Sequence, residues 1–482
     1  MMFKKNSKKT QKNSAISAGL GYTIGNILVN GIAFISVPIF TRILSTSDFG
    51  IYSSFMAYQA ILSIFIGLAL HVSLKNAKYD FPDDKHGYNS AILLLMLFCM
   101  GAFLLIGIVG SKWLGFMLSL DSFLIVPLII YGSCSALLML YNAYLVLDYR
   151  YKEYLYVSLF YSLGSIVLAV FLILFCFPHM RYFGRILGGF FPMVLVGLFI
   201  IYSFFKEHRP VINKKYWQYG IRISIPIIPH GLSQLILTQF DRLMILRIIG
   251  SAAAGIYSFA YTLAMILQII YTSLDSIWTT WFFEKMNRKE YGEIKQKSAW
   301  YVILVSLITV MFFLVAPEVI MVASGEAYWD AKYVVIPVGL GLYFSFLYYF
   351  PAGVEYYYKK TVFIAIGTMS AAVINIILNF IFIPKYGYVI AAYTTIFSYI
   401  LYFVFHLAIA WHLEKRFVFN IKAIMVSLVA TSAMAGLALV LLDKPIVRWL
   451  IFAALFLVAA IGAYKKRSVI KGFFKKESTD EV

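Results

Sequence analysis

Charge is scarce in this 482-residue chain: Asp, Glu, Lys and Arg together make up 13% of it, and only 22 residues are acidic. A soluble domain carries roughly a quarter charged residues, so an ordinary water-facing enzyme surface is excluded. Cysteine is scarcer still. Cys99, Cys134 and Cys176 lie singly in separate apolar stretches, which excludes a disulfide framework and a paired-cysteine metal site. They are expected to be small apolar core residues. Long polar segments are also missing, with no connector above about 16 residues, so no soluble domain is left to carry a catalytic site.

What remains is hydrocarbon. Sixty-two per cent of the residues are hydrophobic and the mean hydropathy is +0.83. Crossing about 30 Å of bilayer core takes about 20 helical residues, and fourteen apolar runs of about that length fill the sequence. The expected fold is an all-α polytopic membrane protein in which function lies between helices. The apolar run that follows the first lysines is about 25 residues long, beyond the 7–15 of a cleaved secretory signal, and is read as a retained first helix.

The net charge of +19 is explained by topology. With a cytoplasmic amino terminus, about three-quarters of the Lys and Arg residues fall in cytoplasmic segments, as the positive-inside rule requires. Fourteen crossings then place both termini in the cytoplasm. Nucleic-acid binding is not needed to account for the basicity.

The chain also repeats. Gly31, Arg42 and Gly50-Ile51-Tyr52-Ser53 recur, roughly 200 residues on, as Gly231, Arg242 and Gly255-Ile256-Tyr257-Ser258. Asp148-Tyr149-Arg150-Tyr151-Lys152 is echoed by Glu355-Tyr356-Tyr357-Tyr358-Lys359, and Pro178 by Pro384. Six helices per copy is an even number, so the copies share one orientation and are related by a pseudo-twofold axis along the membrane normal. Parallel repeats of this kind are a transporter architecture with the substrate site at the repeat interface. The expected layout is a basic amino terminus (1–15), an N-lobe of six helices (16–205), a cytoplasmic linker (206–217) and a C-lobe of six (218–413). Two added helices (414–464) and a basic cytoplasmic tail (465–482) follow.

Polar residues in hydrocarbon are costly and tend to face a bundle interior or a wet cavity. Tyr22, Asn26 and Asn30 share a face of the first helix with several glycines, either as a close helix contact or as a cavity wall. His230, Gln234, Thr238 and Asp241 form a stripe in the seventh helix, downstream of Pro226 and Pro229, which would kink it as a hinge. Gln268, Thr272, Asp275 and Thr279 form another in the eighth. Asp275 is the deepest acid and a candidate, with His230, for coupling to protons or sodium; a structural pairing of the two is the alternative. Arg42, Arg222 and Arg242 could grip phosphate oxygens in bidentate fashion. Their plainer roles are snorkelling for Arg222 and pairing of Arg42 with Asp48 and of Arg242 with Asp241. Asp148 and Glu355 are expected to pair with neighbouring Lys or Arg as hinges or gates. No metal site and no cofactor is indicated.

The stretch Gly31 through Pro38-Ile39-Phe40-Thr41-Arg42-Ile43-Leu44 to Asp48-Phe49-Gly50-Ile51-Tyr52 resembles the start of bacterial polysaccharide repeat-unit flippases. These are the O-antigen and capsule translocases of the multidrug/oligosaccharidyl-lipid/polysaccharide exporter superfamily. Ile225-Pro226-Ile227-Ile228-Pro229-His230-Gly231-Leu232 with Asp241-Arg242 resembles the start of their second lobe. The resemblance implies a MATE-like fold and alternating-access flipping of undecaprenyl-pyrophosphate-linked oligosaccharide across the bacterial inner membrane. It further implies no enzymatic activity, and as partners membrane lipid, a polysaccharide polymerase and a chain-length regulator. On that reading Arg42, Arg222 and Arg242 attract pyrophosphate, and Asn26, Asn30, Gln234 and Gln268 face sugar. A lipid II flippase and a multidrug exporter are the alternatives within transport. A polymerase or ligase is the alternative outside it, disfavoured because the longest external connector, near 324–332, is short.

Overall fold

The computed structural model describes residues 2–465. The side chains of the amino-terminal basic segment and all of the tail beyond 465 lie outside the described residues. The described chain is helical throughout, with fourteen helices long and apolar enough to span a membrane. Backbone amides buried in lipid have no water to bond, so each span must satisfy its own, and helices do so.

The elements run α1 (Met2–Ile43), α2 (Thr46–Gly67), α3 (Ser73–Asp80), α4 (Lys85–Leu118), α5 (Ile125–Leu147), α6 (Tyr151–Phe171) and α7 (Arg181–Glu207). Next come α8 (Lys214–Ser224), α9 (Ile228–Ile248), α10 (Ser251–Asn287), α11 (Tyr291–Ala323), α12 (Lys332–Leu347) and α13 (Tyr349–Tyr357). The last four are α14 (Thr361–Tyr386), α15 (Ile390–Glu414), α16 (Ile421–Val440) and α17 (Pro445–Lys465). The seventh span is broken: α8 and α9 flank a 3₁₀ turn at Ile225–Ile227 that contains Pro226, and Pro229 opens α9. Proline lacks the amide that would continue the ladder and fits a helix's first turn, so the break follows from these two residues. The tenth span is likewise two helices, α12 and α13.

Short connectors demand sharp helix ends. Ser45 and Asp48 form a reciprocal capping box at the start of α2, satisfying two otherwise orphaned amides. α5 ends with Tyr149 at φ 57° and α13 with Lys359 at φ 57°. The two turns are closed by the same bonds: Arg150 N–H to Leu145 C=O at 3.0 Å, and Lys360 N–H to Glu355 C=O at 2.8 Å. This is the Schellman stop, and it corrects the repeat register. Tyr149 matches Lys359 and Asp148 matches Tyr358, one helical turn from the Asp148–Glu355 equivalence expected from sequence. A run of tyrosines beside the lysine made a three-residue slip invisible in the letters.

By packing, the chain forms two compact units. One holds the chain up to Phe259 with Ala365–Ala391; the other holds Ala260–Ile364 and the chain from Ala392. Within the first, α1 lies against α6, where Gly21 and Gly25 leave room for the side chains of Tyr151 and Leu155. Small residues at such a seam let backbones approach closely. The starts of α2 and α10 meet through Gly50 and Gly255. In the second unit, α17 is tied to α11 by Arg448, which is only 2% exposed. Its guanidinium donates to both Glu318 oxygens at 2.9 and 2.7 Å and to the carbonyls of Leu314, Leu441 and Leu442. Of the cysteines, Cys134 is buried, Cys99 half-buried and Cys176 exposed; Cys176 therefore departs from the expected core placement.

Candidate functional site

In the first unit the polar stripe of α1 is partly committed to its neighbours. The Tyr22 hydroxyl donates to the Leu145 carbonyl at 2.8 Å, and the Asn26 amide oxygen accepts from Tyr154 at 2.5 Å. Asn26 and Asn30 are both exposed. Arg42 occupies the last turn of α1 and is exposed. Asp48 serves the cap and also accepts the Tyr182 N–H at 3.2 Å.

On α9, Gln234 is exposed and His230 half-buried, with its Nδ1 enclosed and unpartnered. Asp241 is only 2% exposed. Its carboxylate accepts from the Tyr257 hydroxyl at 2.6 Å and from the Asn379 amide at 2.7 Å, and Asn379 in turn bonds Asn375 at 3.2 Å. Neutral donors thus stabilise a carboxylate in the bundle, as burial of a charge requires. Arg242 is half-buried, and its Nη2 donates to the Thr238 carbonyl at 3.5 Å. Arg222, in the last turn of α8, is exposed and has no hydrogen bond or ion pair among the described residues.

Arg185 on α7 is a buried cation of another kind. It is 9% exposed, and its guanidinium lies 3.8 Å from the centre of the Phe40 ring and 4.5 Å from that of Tyr52. Ring faces attract cations most strongly where water is absent. A cavity of about 570 Å³ in this unit is lined by Gly115, Ser119, Asp121, Arg247 and Ser251 among others. Of the residues singled out from the sequence it takes in Ile51 of the repeated Gly-Ile-Tyr-Ser, and none of the candidate binding or coupling residues.

In the second unit, Gln268 and Asp275 of α10 share a neighbour. The Gln268 amide donates to the Tyr349 hydroxyl at 2.8 Å, and Asp275 lies within electrostatic reach of Tyr349, Tyr301 and Tyr356. Thr279 donates to Asp275 at 3.3 Å. Trp278, one turn on, packs its ring against Trp281, Tyr301 and Phe350 at 5.0–5.6 Å. A carboxylate, an amide and phenols thus lie together against a packed aromatic cluster.

Two pairings differ from expectation. Asp148 bonds Lys85, far upstream, while the adjacent Arg150 goes to Glu153 and Glu207. Glu355 pairs with His406 on α15 at 2.6 Å, and both are wholly buried. Lys359 and Lys360 are exposed beyond the turn, and the backbone stop after Tyr358 turns them away from the carboxylate.

A family model of polysaccharide biosynthesis proteins matches residues 18–284, more than half of the chain. The chain belongs to that family. As a polysaccharide biosynthesis protein it is also similar to known structures. The lipid II flippase MurJ in an inward closed conformation superimposes with a TM-score of 0.64 at 15% identity, covering 93% of this chain and 99% of that one. An inward-facing multidrug resistance MATE family transporter gives a TM-score of 0.64 at 13% identity over 83% of this chain and 99% of that one. An uncharacterized membrane protein of Haemophilus influenzae is 22% identical over 354 residues, 70% of this chain and 83% of that protein. The fold is therefore the one that the MurJ flippase and the MATE transporter share.

Sequence reading of this polysaccharide biosynthesis protein missed four features. Asn375 and Asn379 were legible as an i, i+4 pair inside apolar α14. Arg185 stood at the expected edge of a span, where a cation attracts no notice. His406 and Arg448 are single polar residues whose partners lie far away in sequence.

Proposed function

We propose that this protein moves undecaprenyl-pyrophosphate-linked oligosaccharide units from the cytoplasmic to the outer leaflet of the bacterial inner membrane by alternating access. The observation that carries the reading is membership of the polysaccharide biosynthesis family in a chain whose fold is that of a flippase. A glycan with a charged pyrophosphate cannot cross hydrocarbon unaided; a transporter supplies polar groups along its path while the polyprenyl tail stays in lipid. In this reading Arg42, Arg222 and Arg242 attract the pyrophosphate. Asn26, Asn30, Gln234 and Gln268 face sugar, and the break at Pro226 and Pro229 is the hinge. Protons or sodium drive the cycle, with Asp275 and His230 the sequence-based candidates. Both termini are cytoplasmic, and the protein works beside a polymerase and a chain-length regulator. The product is O-antigen, capsule or exopolysaccharide.

A second reading, lipid II as the substrate, is favoured by one observation: the lipid II flippase fold covers more of this chain than the multidrug transporter fold does. Depleting the protein in its native cell separates the two. Lipid-linked oligosaccharide accumulating on the inner leaflet, with cell-wall synthesis intact, supports the first; arrested wall synthesis supports the second. Normal export and normal wall synthesis after depletion would contradict both.

A further inference from the structure

Two acid–base pairs in the second unit differ in character. Arg448 and Glu318 form a saturated clasp in which the guanidinium meets a carboxylate and three carbonyls. Glu355 and His406 are both 0% exposed, yet they share a single bond, Oε1 to Nδ1 at 2.6 Å, and leave Glu355 Oε2 and His406 Nε2 enclosed without any partner. Buried polar atoms are almost always satisfied, and those that are not need a reason.

We propose that Glu355 and His406 form an occluded proton-binding site whose proton is exchanged at the imidazole Nε2. This rests on the transporter reading above and supplies its coupling ion. With one proton in the Oε1–Nδ1 bridge the pair carries a net charge of −1. A second proton forms an N–H bond at Nε2 and brings the pair to neutrality, with no other bond made or broken.

The surroundings are aromatic, and among the described residues no cation is paired with Glu355 other than His406. Tyr348 and Tyr402 lie edge-on to the imidazole at 4.7 and 4.6 Å and stack on each other at 4.2 Å, and Phe405 stands at 5.1 Å. The other titratable groups facing the pair are phenols: Tyr348 and Tyr356 feel the Glu355 charge, and Asp275 acts only as far as Tyr356. Beyond the end of α13, Tyr358 donates to Glu414 at 2.8 Å, and Arg416 stands 3.6 Å from the other oxygen of that carboxylate. Glu414 lies two turns after His406 and ends α15, so this bridge closes the end of the helix next to the exposed Lys415 and Arg416.

An isolated negative charge is disfavoured in such a medium, so the closed site holds its second proton. Opening the Tyr358–Glu414 end admits water, stabilises the −1 form and releases the proton. Proton occupancy and closure are thereby linked, each favouring the other.

The test uses the full chain in lipid bilayers with ¹⁵N-labelled histidine. Solid-state NMR reads Nε2 protonation between about pH 5 and 9, a window that brackets the ordinary histidine value of about 6.5. The His406 signal is identified by its loss in His406→Gln. We expect Nε2 to gain and lose its proton within the window, and Glu355→Gln to shift the midpoint of that exchange, because the carboxylate bonded to Nδ1 is gone. One protonation state across the window, or an unchanged midpoint in Glu355→Gln, overturns the proposal. In proteoliposomes carrying labelled lipid-linked oligosaccharide, an imposed pH gradient is expected to drive transfer by the natural protein at least tenfold more than by Glu355→Gln or His406→Gln. Equal gradient response in all three overturns the coupling. A titrating His406 in protein that moves no lipid-linked sugar supports the proton site and contradicts the flippase reading instead.

Discussion

Gly50 and Gly255 press the starts of α2 and α10 together in a reciprocal contact. A Cβ on Gly50 would stand 1.9 Å from the Ser251 carbonyl oxygen, and one on Gly255 would stand 1.9 Å from that of Thr46. Ser47 and Ser251 share a hydrogen bond at 2.6 Å across the same seam. These glycines head the two copies of Gly-Ile-Tyr-Ser, so the duplicated segments meet each other as a local twofold requires, each patch seeing its counterpart. Gly50→Ala and Gly255→Ala are each expected to destabilise by about 1–3 kcal/mol, the usual range for overpacking, and by similar amounts. Thermal unfolding in detergent measures both. A loss at one site alone would contradict the reciprocal contact.

The Arg448 clasp gives an ordered series. Arg448→Met leaves Glu318 without its partner at a site where only 2% of the arginine is exposed. Breaking one side of a buried pair costs about 3–5 kcal/mol, whereas replacing both sides with apolar groups is close to neutral. Glu318→Gln is expected to cost less than Arg448→Met, because three carbonyls still hold the guanidinium. Arg448→Met with Glu318→Leu is expected to recover most of the loss. Denaturation midpoints of the four proteins check the order.

Tyr257 and Asp241 test the buried network of the first unit. A hydrogen bond to a charged group is worth about 1.5–3 kcal/mol, so Tyr257→Phe should lower stability by that much. Asp241→Asn should cost less, since Asn379 and Tyr257 keep an oxygen to bond. The reverse order in the same unfolding assay would show that the carboxylate charge, rather than its geometry, governs the site.

One pH effect is expected from a group outside the spans. His71, in the connector between α2 and α3, has its imidazole pushed below the ordinary histidine value by burial. Between the lowered value and the ordinary one the unfolded chain binds more protons, so stability rises with pH there and falls as the medium is acidified from neutrality. His71→Phe should flatten this part of the profile, as read by unfolding at a series of pH values from about 5 to 8.

The arginines proposed for pyrophosphate yield a functional prediction. Arg42→Ala with Arg242→Ala should reduce oligosaccharide transfer at least tenfold at normal protein levels, with the single variants falling between. Unchanged transfer in the double variant removes both from the substrate path.

Hydropathy made the fourteen spans legible, because lipid leaves the chain no other economical way to satisfy its amides. Pro226 and Pro229 marked the broken span for the same local reason. Pairing was legible only when local. Asp48 caps a helix three residues from Ser45, but nothing in the neighbourhood of Glu355 points to His406, and nothing near Asp148 points to Lys85. The slip in the repeat register has a similar cause: a turn is set by backbone angles at Tyr149 and Lys359, and the tyrosines around them read alike in either frame. Asn375 and Asn379 carried a readable spacing, and their partner Asp241 lay in a stripe already noticed.

The central claim is transfer between leaflets, and it can be read directly. The purified protein is placed in liposomes that hold labelled undecaprenyl-pyrophosphate oligosaccharide, and an impermeant quencher reports how much label each leaflet exposes over time. Protein-dependent movement of the label, faster when a pH or sodium gradient is imposed, is the expected result. Label that redistributes no faster than in protein-free liposomes, under gradients of either ion and either direction, would contradict the account.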